Sequence, residues 1–280
     1  MKANNTKLDI FTPERRKEVL DLLITNLEED KRIASVILVG SGAFDFIDNF
    51  SDIDLAIVTY TEYDLLSILK DWKEKILKLL DIIECFEVLH TPNNLLLGFL
   101  TDEFLEINIG LQNIENISAK RKHWKVTFDK TGKIQQVMND TWKKEESKNK
   151  EPKLVYLVSG SWHYIVCVCI ALSRGNYWRA VNDIDYLKKN LLNIIALRYN
   201  LKVNYFLDSD QMNQDLRAKM KELLITKLDR REIFNVIQKM TKLFYEEANK
   251  TAKHFGDFNF DYLSKRMNEY LKIMEKKLFN

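Results

Sequence analysis

Hydrophobic positions follow two rhythms along this chain. Between about residues 34 and 110 apolar residues come in short β-branched runs or alternate with polar ones, the period-two signature of strands. That pattern predicts strands near 34–40, 53–59, 83–89, 94–99 and 103–110. Two amphipathic helices interrupt or precede them. One starts at Thr12-Pro13, a capping residue followed by proline at the first helical position, and runs to about Glu29; the other covers about 62–80. From about 154 onward every periodic segment is helical: 154–173, 176–198, 211–226, 230–250 and 259–278. Residues 116–152 are basic and mixed, with a turn at Asp129-Lys130-Thr131-Gly132, and read as a linker with a possible hairpin. The expected class is therefore α+β: a mixed sheet flanked by helices, followed by an all-α helical bundle. Its expected division is 1–115 as catalytic domain, 116–153 as linker and 154–280 as a helical domain.

The densest chemistry lies at residues 40–54. The apolar run Val36-Ile37-Leu38-Val39 ends at Gly40-Ser41-Gly42, a turn whose backbone can approach a phosphate closely. The next strand opens with Asp52 and Asp54, two positions apart. Side chains alternate along a strand, so both acids share one face while Ile53, Leu55 and Ile57 share the other. Paired carboxylates beside a glycine turn suit a hard divalent cation carrying a polyphosphate. Alternating acids on a strand also occur as a merely solvated face, and Gly-Ser is common turn punctuation; the two together, each at its own strand edge, favour the site. A third acid, Glu106, lies on a strand-like segment where Leu105, Ile107 and Ile109 form the opposite face. If that strand pairs beside Asp52 and Asp54, three carboxylates converge; the alternative for Glu106 is an edge-strand surface acid.

Apolar strand, Gly40-Ser41, ten further residues, Asp52-Ile53-Asp54 and a later Leu105-Glu106-Ile107 together resemble the DNA polymerase beta-type nucleotidyltransferase superfamily. The match covers about Ala34 to Gly110. The resemblance implies a mixed sheet whose three strand-borne carboxylates, here Asp52, Asp54 and Glu106, are catalytic and bind Mg²⁺. It implies that Gly40 and Ser41 hold the β- and γ-phosphates of an NTP, with ATP expected. Gly42-Ala43 departs from the Ser-Arg or Ser-Tyr of many relatives, which bears on the phosphate contacts of that loop rather than on the metal site.

The helical half carries a second resemblance. Arg174-Gly175-Asn176-Tyr177-Trp178-Arg179-Ala180, followed by a leucine-rich amphipathic helix, is similar to the C-terminal domains of bacterial lincosamide and aminoglycoside nucleotidyltransferases. A helix–helix turn with a glycine cap gives the same short motif. On the following helix Tyr177, Val181, Ile184, Leu191 and Ile195 form the apolar face, and Asp183 sits four residues after Arg179 as an intrahelical ion pair. Asp185 falls in a stripe with Trp178 and Leu192. An aromatic beside an unpaired acid suits an acceptor-binding wall for a cationic or hydroxylated small molecule; a boundary acid beside a packing tryptophan is the plainer alternative.

Composition changes this picture little. A chain of 280 residues with 30% charged and 46% hydrophobic residues can bury a full core. Its net charge of +2 is too small to indicate a nucleic-acid surface. Cys85, Cys167 and Cys169 lack metal-ligand spacing, and the latter two are expected as buried thiols in a reducing compartment. The polar start, Met1 to Asp9, predicts no signal peptide, and Leu154–Leu172, though apolar, contains Ser159, Gly160, Ser161 and His163 and reads as a core helix rather than a bilayer span. The expectation is a cytoplasmic, Mg²⁺-dependent enzyme. It moves a nucleoside monophosphate from an NTP to a hydroxyl of a small molecule, plausibly an aminoglycoside or lincosamide, and releases pyrophosphate; such activity would confer antibiotic resistance. The rivals are a toxin-type nucleotidyltransferase acting on a tRNA end or protein side chain, and a non-catalytic nucleotide-binding module.

Overall fold

The computed structural model describes residues 10–91, 94–199, 201, 209–256 and 258–279; the polar start falls outside them. Two compact units divide the chain, Met1–Lys148 and Asn149–Asn280. The first is built on a mixed sheet and the second is all helical, so the α+β class holds.

The sheet unit begins with α1, Pro13–Glu29, capped by Thr12, whose hydroxyl accepts from the Arg15 amide at 3.2 Å. Strands β1 (Ile33–Leu38), β2 (Ile53–Thr59), β3 (Ile82–Thr91), β4 (Asn94–Thr101), β5 (Glu106–Asn113) and β6 (Lys125–Asp129) form a six-stranded sheet ordered β3-β4-β5-β2-β1-β6. Between β2 and β3 runs α2 (Leu65–Leu79). The β2–β5 pair is parallel, with Ile53 opposite Ile107 and Asp54 opposite Asn108; the other neighbours are antiparallel. Each face of the sheet has its own core. Ile53, Leu55, Ile57, Ile107 and Ile109 pack with Leu23 and Leu27 of α1 and Trp72 of α2. On the other face Ala34, Ile37 and Val58 pack with Ile134 and Met138 of α3 (Ile134–Glu146).

Here the linker expectation is corrected. Within 116–153 lie β6, an edge strand on β1 with Val36 opposite Phe128, and α3, which covers the second face. Asp129 joins the two: its carboxylate accepts from the Thr131 and Ile134 amides, each at 2.8 Å, closing the turn and capping α3. The Asp129–Gly132 turn therefore links a strand to a helix and makes no hairpin.

The helical unit comprises α4 (Glu151–Ser159), α5 (Ser161–Ser173), α6 (Tyr177–Tyr199), α7 (Gln214–Lys221), α8 (Arg230–Phe255) and α9 (Asp261–Phe279). The segment Glu151–Ser173 is long and apolar enough by composition to cross a membrane. It is broken at Gly160 into α4 and α5, and Leu154, Val158, Ile165, Val168 and Leu172 are buried in the core of this unit. At the break the Ser161 hydroxyl is fully buried, donating to the Val158 carbonyl at 2.7 Å and lying 3.0 Å from the Tyr245 hydroxyl. Cys169 is buried but Cys167 only partly, and all three cysteines are free.

Candidate active site

Strand β2 is apolar on one side because Ile53, Leu55 and Ile57 fill the core; the alternation that buries them turns Asp52 and Asp54 to the opposite side. The parallel register then places Glu106 and Asn108 of β5 beside these acids. The Asn108 amide donates to Glu106 Oε1 at 3.1 Å and to Asp52 Oδ2 at 3.4 Å. The amide thus stands between the two carboxylates. Glu106 is exposed rather than buried, while Leu105, Ile107 and Ile109 behind it are fully buried.

The electrostatics follow from partial burial without a direct ion pair. Among the described residues neither Asp52 nor Asp54 has a salt bridge. Burial pushes the Asp54 carboxyl up to about 6, with repulsion from Asp52 adding to it, against hydrogen bonding from Asn108 and the positive charge of Arg121. Asp52 is also raised, chiefly by burial and then by Glu106, although its own backbone amide opposes the rise.

After β1 the chain makes a tight helical turn, Gly40–Phe44, that lies against Asp54. Gly40 has φ of +60°, and a Cβ there would sit 2.2 Å from Asp54 Oδ2, so only glycine lets the backbone come this close. The Val39 amide donates to the Asp54 carbonyl at 3.1 Å, locking turn to strand. The Ser41 hydroxyl is buried with no hydrogen-bond partner among the described residues. An orphaned hydroxyl beside clustered acids is costly unless a ligand uses it.

Asp52, Asp54, Gly40 and Ser41 are thus brought together, with Glu106 at the margin. Among the described residues no group of three or more His, Cys, Asp or Glu side chains is close enough to hold a metal ion. The donor set still suits a hard cation chemically: two partly desolvated carboxylates of raised pKa, with carboxylate and amide oxygens beside them. A cavity of about 290 Å³ adjoins Asp54, and Gln112, Arg121, His123 and Trp124 are in its wall. A larger one, about 710 Å³, opens among Thr61, Tyr63, Leu66, Leu89 and Asn113, past the other end of β2; none of the three acids lines it.

In the helical unit Trp178 is 77% exposed, and Leu192, expected in the same stripe, is buried. Asp185 is not unpaired: Lys188 donates to it at 2.9 Å, one helical turn away. Arg179 donates to buried Asp183 at 2.9 Å, as the four-residue spacing predicts.

One residue that shapes the site carries a signal the motifs do not. Arg16 is buried at a core position of α1, in the i, i+4, i+7, i+11 series with Leu20, Leu23 and Leu27. Its guanidinium donates to the Asp48 and Ser51 carbonyls at 3.1 and 2.9 Å and lies 4.1 Å over the Phe46 ring. It therefore fixes the loop leading into Asp52, including Asp45 and Phe46, both left-handed at φ of 57° and 62°. A cation on the apolar stripe of a helix is the clue.

No family model matches the sequence, and no curated protein does. Among solved structures, an aminoglycoside 6-adenyltransferase from Bacillus subtilis aligns over 95% of this chain and 99% of its own, with 13% identity and a TM-score of 0.43. At that distance the chemistry rests on the residues of this chain.

Proposed function

We propose that this protein is a nucleotidyltransferase. It transfers a nucleoside monophosphate from an Mg²⁺-bound NTP, with ATP the preferred donor, to a hydroxyl of a small molecule and releases pyrophosphate. The observation that carries this reading is the pair Asp52 and Asp54: partly buried, without a salt bridge among the described residues, and pressed against a turn that admits only glycine at Gly40.

Asp52 and Asp54 would hold the cation, with Glu106 completing the set from β5. Bound there, a divalent cation neutralises phosphate charge and lowers the pKa of the attacking hydroxyl. The chain's own groups bind and orient. Gly40 lets the backbone approach the phosphates, and the buried Ser41 hydroxyl donates to a terminal phosphate oxygen. Asn108 spaces Asp52 from Glu106 and donates to Glu106 Oε1, holding that carboxylate where it would share in accepting the acceptor's proton. Arg16 keeps the approach to Asp52 rigid.

Acceptor recognition is assigned to the exposed Trp178 ring and to Asp185, held in its ion pair with Lys188, which suit a polyhydroxyl compound such as an aminoglycoside; lincosamides are the second class. The three free cysteines favour a reducing, cytoplasmic setting. Pyrophosphate release from Mg²⁺·ATP, screened over aminoglycosides and lincosamides, tests the proposal. Wild-type release with one acceptor class is expected, and Asp54→Asn should lower it at least ~10³-fold while far-UV circular dichroism is unchanged, since the metal site supplies several kcal/mol and each ~1.4 kcal/mol is tenfold. Near-normal turnover in that variant would refute the assignment.

A further inference from the structure

The wall facing the Gly-Ser turn is made by the chain between β5 and β6. Buried Ile117 and Ala119 anchor this segment on the α3 face, and the Ala119 amide donates to the Thr141 hydroxyl at 2.9 Å. Next comes Lys120-Arg121-Lys122-His123-Trp124-Lys125, four Lys or Arg and one His in six residues. Two contacts fasten it to the turn after β1. The His123 ring packs on Phe44 with centroids 4.5 Å apart, and Lys125 donates to Asp45 at 2.6 Å.

The cavity of about 290 Å³ has Asp54 in its lining together with Lys120, Arg121 and Trp124. Lys125 is occupied by Asp45, whereas Lys120 and Arg121 form no salt bridge among the described residues. The Trp124 indole N–H is buried and, among the described residues, has no acceptor; the Ser41 hydroxyl is a second unused donor, at the turn. One cavity thus has acid on one part of its wall and cations with an unspent donor on another. A metal-chelated polyphosphate splits its charge in the same way, the cation toward the acids and the remaining oxygens outward. An extended nucleic-acid strand presents phosphates alone and would meet Asp54 as a repulsive wall.

We infer that Lys120, Arg121 and the Trp124 indole form an anion clamp for the terminal phosphates of the bound nucleotide. This rests on the nucleotidyltransferase reading, and the test separates the two. Isothermal titration of Mg²⁺·tripolyphosphate, which lacks base and sugar, is performed on the full chain, with Mg²⁺·ATP in parallel. Hydrogen bonds to charged groups are worth about 1.5–3 kcal/mol, so Arg121→Gln should weaken tripolyphosphate binding roughly 10- to 100-fold. Lys120→Gln with Arg121→Gln should weaken it further, Trp124→Phe by up to roughly tenfold, and Arg121→Lys should retain most of it. Both cations are exposed, so their replacement leaves the core intact. Wild-type-like affinity in the double variant would overturn the clamp while leaving the activity standing. No Mg²⁺·ATP binding by the wild type would overturn both. Saturable binding of a short RNA, lost in the double variant, without tripolyphosphate binding by the wild type, would make the segment a nucleic-acid contact and also overturn the clamp.

Discussion

Glu247 in the helical unit and Asp54 in the sheet unit are both acids drawn away from water, and their surroundings differ in one respect. Glu247 is 2% exposed and contacted by Arg198, while Lys250 donates to its other oxygen at 2.8 Å. Arg198 also donates to the Thr251 hydroxyl at 3.1 Å, so each charge in that network is answered. Asp183 in the same unit has Arg179. Asp54 has a second carboxylate two residues away, the amide of Asn108 and the more distant charge of Arg121 around it, and among the described residues no ion pair. Ion-pairing the buried acids of one unit while leaving a pair of half-buried acids without a salt bridge in the other is the arrangement expected of a pair that serves a ligand.

Breaking the compensated network should cost the most stability. Glu247→Gln leaves Arg198 and Lys250 facing a neutral amide, and removing one member of a buried ion pair typically costs about 3 kcal/mol or more. A lower urea midpoint is expected in that variant; an unchanged midpoint would mean that the network is ornamental.

The uncompensated acid should behave in the opposite sense. Asp54 has a folded pKa of about 6 against an ordinary 3.8, so the folded state binds its proton more tightly than the unfolded chain does. Its contribution to stability is fully present below pH ~4 and is lost as pH rises through about 6. In chelator at pH 7.5, Asp54→Asn should therefore stabilise the protein by about 2–3 kcal/mol, since a tenfold difference in proton affinity corresponds to ~1.4 kcal/mol, and the gain should vanish near pH 4. Urea unfolding across pH 4–8 checks this, and an Asn variant less stable than wild type at pH 7.5 would contradict the picture of a strained acid pair. The smallest effect is expected at Ser41. Ser41→Ala removes one neutral hydrogen bond, ~0.5–1.5 kcal/mol, and should raise KM for the NTP up to roughly tenfold with kcat little changed.

Much of this contrast is legible in the chain. The alternation Asp52-Ile53-Asp54-Leu55 fixes both a buried face and an acidic one, and the apolar series at Leu105, Ile107 and Ile109 places Glu106 opposite its core. What local pattern does not show is pairing across long stretches of chain. β6 is five residues, partly exposed and rich in polar side chains, and it becomes a strand by pairing with β1 some ninety residues earlier, as at Ser35 and Asp129. Ile134, Met138, Thr141 and Trp142 recur at helical spacing, yet the segment reads as linker because the cap that starts α3 comes from Asp129, outside the usual capping position. Burial of the Lys188 stem brings its ammonium to Asp185, so the acid expected to be unpaired is not. The basic run at 120–125 lies within the segment that reads as linker, and its packing on Phe44 and Asp45 is what fastens it beside the turn after β1.

The central claim is that the uncompensated pair exists to bind a metal-chelated nucleotide, and its most direct test is isothermal titration of Mg²⁺·ATP into wild type and into Asp52→Asn with Asp54→Asn. Saturable binding by the wild type is predicted, lost by at least roughly a hundredfold in the double variant even though that variant is the more stable protein in chelator. Equal affinity in the two proteins would contradict it.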